Sequence, residues 1–225
     1  MRDLQRRCLY SLIQRAAEIS AIGTACREAL EDKHRAREVV LSASRRAIQS
    51  SAASIRATHR GEFENAQALA DEARAQITLA DTALAPQPDL RGNGPVHDAR
   101  KEVVEAWLTL ALVRGDALPT PEELGVDAAA YLNGMAEAAS ELRRQVLDCL
   151  RRGELERGET LMSAMDDVYS VLATIDYPDV VTAGLRRTTD ALRAVLERTR
   201  GDLTTTIVAS RLQAAIDAAT ATRDG

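Results

Sequence analysis

Four glutamates stand in two close pairs. The first lies in Lys101-Glu102-Val103-Val104-Glu105-Ala106-Trp107, and Glu105 is the only charged residue among the eleven from Val103 to Val113. Burying an ionised carboxylate alone is costly, so this setting calls for a cation, a hydrogen-bond partner or a raised pKa. Glu102, three residues earlier, shares a helix face with it. The second pair, Glu137 and Glu141, lies in Tyr131-Leu132-Asn133-Gly134-Met135-Ala136-Glu137-Ala138-Ala139-Ser140-Glu141-Leu142 at a spacing of one helical turn. A solvated helix face would explain that spacing equally well. If the two pairs face one another, four hard oxygen ligands converge, and the chemistry is that of Mg²⁺ or Mn²⁺ polarising a phosphate and activating water. Spacing alone does not show that the helices meet.

The elements that carry these pairs are read from proline, glycine and apolar period. All six prolines lie at 86, 88, 95, 119, 121 and 178, and the first 85 residues hold only two glycines, Gly23 and Gly61. Because proline breaks a helix interior, that stretch reads as one or two helices through about residue 60 and another over about 62–84. Ala85 to Pro95 reads as a loop, followed by a helix over about 96–114 and a short helix ending at Gly125. A helix over about 127–152 is marked by Tyr131, Met135, Leu142, Val146 and Leu150, one turn apart except between Met135 and Leu142, where alanines fill the stripe, and is stopped by Gly153. Another covers about 154–175, Asp176-Tyr177-Pro178-Asp179 turns the chain, and one or two helices fill about 179–222. The expectation is an all-α, single-domain bundle of about seven helices over residues 1–225.

Composition supports this reading. Of 225 residues, 45% are hydrophobic and 3% aromatic, and 40 are alanine, so an all-β fold is excluded. No apolar run is long enough to span a membrane. Cys8, Cys26 and Cys149 include no CxxC spacing, and the start carries no apolar signal region, which leads us to expect a cytoplasmic protein. His34, His59 and His97 form no zinc spacing with them. A di-iron bundle needs two Glu-x-x-His elements, and only Glu31-Asp32-Lys33-His34 supplies one. Signatures of serine hydrolases, P-loop NTPases and Rossmann dehydrogenases are absent. The net charge of −5 divides into +6 over residues 1–60 and −11 over the rest. A basic segment joined to an acidic body fits a nucleic-acid partner beside a metal site, and equally an ordinary helix surface.

The chain resembles the translin/Trax family from about Ala36 to Thr204. Ser44-Arg45, Ser51, Ile55 and His59-Arg60 fit the spacing of the family's N-terminal helix, Glu102-Val-Val-Glu105-Ala is similar to the E-x-V-E-A element of Trax, and Tyr131-Leu-Asn-Gly134 through Glu141-Leu142 is similar to its Y-L-x-G-x-x-D-x-x-x-E-L element. The resemblance implies a translin-like fold of the Trax, or catalytic, branch and of archaeal type. It makes Glu102, Glu105, Glu137 and Glu141 the metal ligands and catalytic groups of an endoribonuclease that uses Mg²⁺ or Mn²⁺ on single-stranded RNA. Position 137 departs from the pattern, carrying Glu where Trax has Asp. The resemblance also implies a homo-oligomer, an octameric barrel with inward-facing sites. The alternative is a translin-like protein that binds single-stranded RNA or DNA without cutting it. Arg45, Arg56, His59, Arg60, His97, Arg100 and Lys101 are the candidate nucleic-acid contacts, with structural ion pairs of Arg45 and Arg60 as the competing role. Arg143-Arg144 are expected to orient Glu141. Scarce aromatics argue for contact with the backbone rather than stacked bases.

Overall fold

The computed structural model describes residues 2–90 and 94–223; residues 91–93 of the expected loop and the side chain of Cys8 lie outside that description. All regular structure among the described residues is helical. Helix α1 spans Arg2–His59 without interruption, α2 spans Phe63–Leu84, and a 3₁₀ turn at Pro88–Leu90 leads to α3 (Gly94–Arg114). Then follow α4 (Pro121–Leu124), α5 (Ala128–Arg152), α6 (Leu155–Leu172), α7 (Asp179–Thr182) and α8 (Leu185–Arg223). With no proline before Pro86, nothing breaks α1 until Gly61, whose φ of +76° turns the chain into α2.

Local signals set the boundaries of the elements that carry the acids. Helix α4 opens on a capping box in which Thr120 accepts from Glu123 N and the Glu123 carboxylate accepts from Thr120 N. The Asp127 carboxylate caps α5 by accepting from Ala130 N at 2.9 Å, and Gly153 ends the helix in the left-handed conformation. Helix α6 stops at Leu172, three residues short of the expected end near 175, and a short α7 precedes α8. Asn133 pins that joint, donating to Thr182 O at 2.8 Å and accepting from Thr188 Oγ1 at 2.7 Å.

Alanine sets how closely the helices approach. Ala47 of α1, Ala73 of α2 and Ala99 of α3 meet in one buried cluster with Ile77 and Val103. Contacts step along α1 and α3 in the same sense, from Val40 with Val96 to Ala57 with Leu110. Helices α3 and α5 also run in one sense, with Val104 against Ala138 and Val113 against Leu142 and Val146. This parallel relationship places the acidic turns of α3 and α5 at one level. Helices α6 and α8 cover the other side of α5 through Leu161, Met165, Leu196 and Leu203. Every described residue over 14–32 and 208–222 is exposed, so the ends of α1 and α8 project past the packed body. No described helix is long and apolar enough to cross a membrane.

Candidate metal centre

The level at which α3 meets α5 is fixed by Gly134. A Cβ at that position would lie 2.6 Å from Lys101 O and 2.7 Å from Val104 Cβ, so only glycine lets the two backbones approach this closely. Glu137 lies one turn along α5 from Gly134, and it faces Glu102 and Glu105, the residues that follow Lys101 and Val104 on α3. One carboxylate oxygen from each of the three lies within 4.8 Å of the others, and all three residues are half-buried.

Lys101 Nζ is part of the cluster, donating to Glu137 Oε1 at 2.8 Å and lying 3.9 Å from Glu102 Oε1. Burial works against its charge, but the hydrogen bond and charge of Glu137, aided by Glu102 and Glu105, hold the ammonium above its ordinary range. One ammonium does not balance three carboxylates. Burial, reinforced by the charges of Glu102, Glu137 and Glu141, pushes Glu105 up to about 8. Burial likewise raises Glu102, with Lys101 opposing. No hydrogen bond or ion pair to Glu105 is found among the described residues. The donor set fits a hard divalent cation: it is all oxygen, it carries excess negative charge, and its span matches the roughly 3 to 5 Å between oxygens around one small cation.

Glu141 belongs to the same face of α5 but stands outside that trio. Its Oε2 accepts from His59 Nε2 at 2.7 Å, and Gln145 Nε2 lies 3.1 Å from His59 Nδ1. The His59 side chain is 3% exposed, so the last turn of α1 delivers a buried ring to the acidic site.

The remaining expected nucleic-acid contacts lie in varied settings. Arg45 and Arg56 are exposed on α1, and no ion pair to either is found among the described residues. Arg60 is exposed and bound to Glu62, with nitrogen–oxygen distances of 2.6 and 2.8 Å. Arg100 is held by Asp81 and lies 3.6 Å from Asp127, while His97 is half-buried on α3. The expectation that Arg143 orients Glu141 is replaced by a different contact, because its guanidinium donates to Thr199 at 3.1 Å and Asp202 at 2.8 Å on α8. Arg144 is exposed. Gln145 escaped sequence reasoning, since its link to His59 crosses 86 positions. Gly134 had a legible signal as the lone glycine within α5, but its neighbour could not be read from the sequence.

No family model matches the chain. It is 32% identical over 181 residues to an uncharacterized protein of Methanocaldococcus jannaschii, covering 79% of each. Among solved structures it is similar to AfC3PO in complex with duplex RNA, at 33% identity and a TM-score of 0.74, over 82% of this chain and 95% of that one. The crystal structure of AfC3PO alone gives 32% identity and a TM-score of 0.75 over 82% and 96%. Apo-NeC3PO, 22% identical with a TM-score of 0.71 over 82% and 96%, shares the fold. On this similarity to AfC3PO over 82% of its length, the chain belongs to the translin/Trax family of C3PO-like proteins.

Proposed function

We propose that this protein binds RNA and cleaves it, single-stranded RNA being the substrate, as a nuclease dependent on Mg²⁺ or Mn²⁺. The observation that carries this reading is the convergence of Glu102, Glu105 and Glu137 from two helices within 4.8 Å. Those three carboxylates would hold the cation, which when bound supplies charge to polarise the phosphate and acidify water. Glu141, fixed by His59 at the edge of the trio, would join the ligand set and accept a proton from the attacking water. Lys101, poised between Glu102 and Glu137, is near enough to pair with a phosphate oxygen once a divalent cation takes over its carboxylate partners.

The similarity to AfC3PO, a protein captured with duplex RNA, supports an RNA ligand. Exposed Arg45 and Arg56 would neutralise phosphates, whereas Arg60 and Arg100 are already engaged by Glu62 and Asp81. The proposal includes a homo-oligomer, octameric by family resemblance, with the acidic sites turned inward, in the cytoplasm.

A second reading, RNA or single-stranded DNA binding without cleavage, is favoured by one observation: Lys101 already gives the cluster an internal cation. One experiment separates the two. Labelled single-stranded RNA is incubated with the protein in Mg²⁺, Mn²⁺ or EDTA, alongside Glu105→Gln. Cleavage by the wild type in divalent cation, lost in the variant while RNA binding persists, supports the nuclease. Full activity of Glu105→Gln overturns the site, and wild-type binding without cleavage establishes the second reading.

A further inference from the structure

We infer that His59 is a positioning residue, which aims Glu141 at the acidic trio through a hydrogen bond locked by Gln145. This rests on the reading of the trio as a metal site. An ionised carboxylate only accepts hydrogen bonds, so the 2.7 Å contact requires the hydrogen on His59 Nε2. On the opposite edge of the ring the Gln145 amide nitrogen donates to Nδ1 at 3.1 Å, which leaves Nδ1 as acceptor and gives the ring the same tautomer. The two partners lie four residues apart on α5, so one helix face grips both ring nitrogens. With the ring 3% exposed, His59 has little surface to offer a phosphate.

The contact matters to Glu141 because that side chain is 37% exposed and would otherwise sample several rotamers. Held at Oε2, it presents Oε1, which has no hydrogen bond among the described residues, as its free oxygen. It stands one turn along α5 from Glu137, on the face that carries the trio's third carboxylate. The long α1 thus has a role at its C-terminal end distinct from packing. His59 terminates the helix immediately before Gly61 turns the chain, so the ring's placement is set by the rigid body of α1 and not by a loop.

A thermodynamic cycle on the full-length protein tests this. Mn²⁺ affinity is measured by electron paramagnetic resonance without RNA for wild type, His59→Ala, Glu141→Ala and the double variant. RNA affinity is measured in EDTA, and kcat and KM in Mn²⁺. Removal of an outer partner of a ligand set typically costs about 10- to 100-fold in metal affinity or rate. We expect His59→Ala to weaken Mn²⁺ binding and lower kcat on that scale while RNA affinity changes less than about twofold. His59 should have no further effect once Glu141 is gone. His59→Gln, whose amide restores an N–H donor of similar reach, should recover most of both losses and guards against a variant that merely misfolds. Additive effects of the two alanine variants overturn the proposal, as does a loss confined to RNA affinity. If the wild type does not cleave RNA, the nuclease reading fails while the Mn²⁺ cycle still decides the role of His59.

Discussion

Lys101 Nζ lies 2.8 Å from Glu137 Oε1, tying α3 to α5 across the acidic cluster. Both side chains are less than a third exposed, so the pair is weakly screened by solvent. In the absence of metal the ammonium offsets part of the repulsion among Glu102, Glu105 and Glu137. The same charge opposes a divalent cation that seeks the same oxygens.

Replacing Lys101 with Met should therefore act in opposite directions in two assays. In EDTA the variant loses the internal cation and should be destabilised by about 1 to 3 kcal/mol, measured by urea denaturation. In calorimetric titration its affinity for Mn²⁺ should rise on the order of tenfold, as expected for removing one unit of positive charge a few ångströms away in a partly hydrated site. A variant that binds Mn²⁺ more weakly would show that Lys101 helps to build the site and does not compete for it.

Glu105 predicts a pH dependence of stability. Burial first, and then three neighbouring carboxylates, raise it from 4.5 to about 8 in the folded chain. Between those values the folded state holds a proton that the unfolded state has released, so this group makes stability fall as pH rises from about 4.5 to about 8. Its contribution is on the order of a few kcal/mol. Denaturation midpoints in EDTA should decline across that window, and Glu105→Gln should flatten the decline. Adding Mn²⁺ to the wild type should also flatten it, because a bound cation favours the ionised form.

Much of this arrangement was legible along the chain because its signals are local. Proline and glycine marked the ends of the loop before α3, of α4 and of α5, and the isolation of Glu105 in an apolar run foretold its partial burial, with a cation, a hydrogen-bond partner or a raised pKa as the alternatives that burial demands. The continuity of α1 across residues 2–59 was undetermined because absence of a breaker does not specify a helix's length. What escaped were relationships between distant positions. Arg143 sits beside Glu141 in local sequence, yet α8 draws it to Asp202, 59 residues on. His59 reads as a nucleic-acid contact next to Arg60, but the packing of α1 against α2 and α3 brings its ring to Glu141 and Gln145 of α5. Those placements depend on how closely whole helices approach, which in this protein follows from Gly134 and a seam of alanines.

Gly134→Ala tests that dependence. The added methyl would meet backbone Lys101 O at 2.6 Å and Val104 Cβ at 2.7 Å, contacts that no rotamer change relieves. Alanine's better helix propensity would offset about 1 kcal/mol, but overpacking typically costs about 1 to 3 kcal/mol and can exceed that against backbone. We expect net destabilisation in urea denaturation, and Mn²⁺ affinity reduced by more than tenfold because α5 moves Glu137 away from Glu102 and Glu105. Unchanged metal affinity in a folded variant would mean that the three carboxylates do not need the observed helix separation.

The basic residues divide by how they are already engaged, and salt dependence should expose the division. Arg56 is exposed, has no ion pair among the described residues, and lies one turn before His59 on α1. Arg100 is held by Asp81 with Asp127 close by. Each phosphate contact to a nucleic acid contributes about 0.7 to 0.9 to the slope of log affinity against log salt. Arg56→Ala should therefore lower the slope of RNA binding by roughly that amount and weaken binding similarly across sequences, with kcat nearly unchanged. Arg100→Ala should leave the slope as it was and instead lower the melting temperature, since it strands Asp81 beside the α2–α3 contact. Filter binding of labelled RNA at several KCl concentrations in EDTA, paired with thermal melts, reads both effects. If the slope change belongs to Arg100 instead, then the RNA path crosses the start of α3, and Arg100 must leave Asp81 when RNA binds.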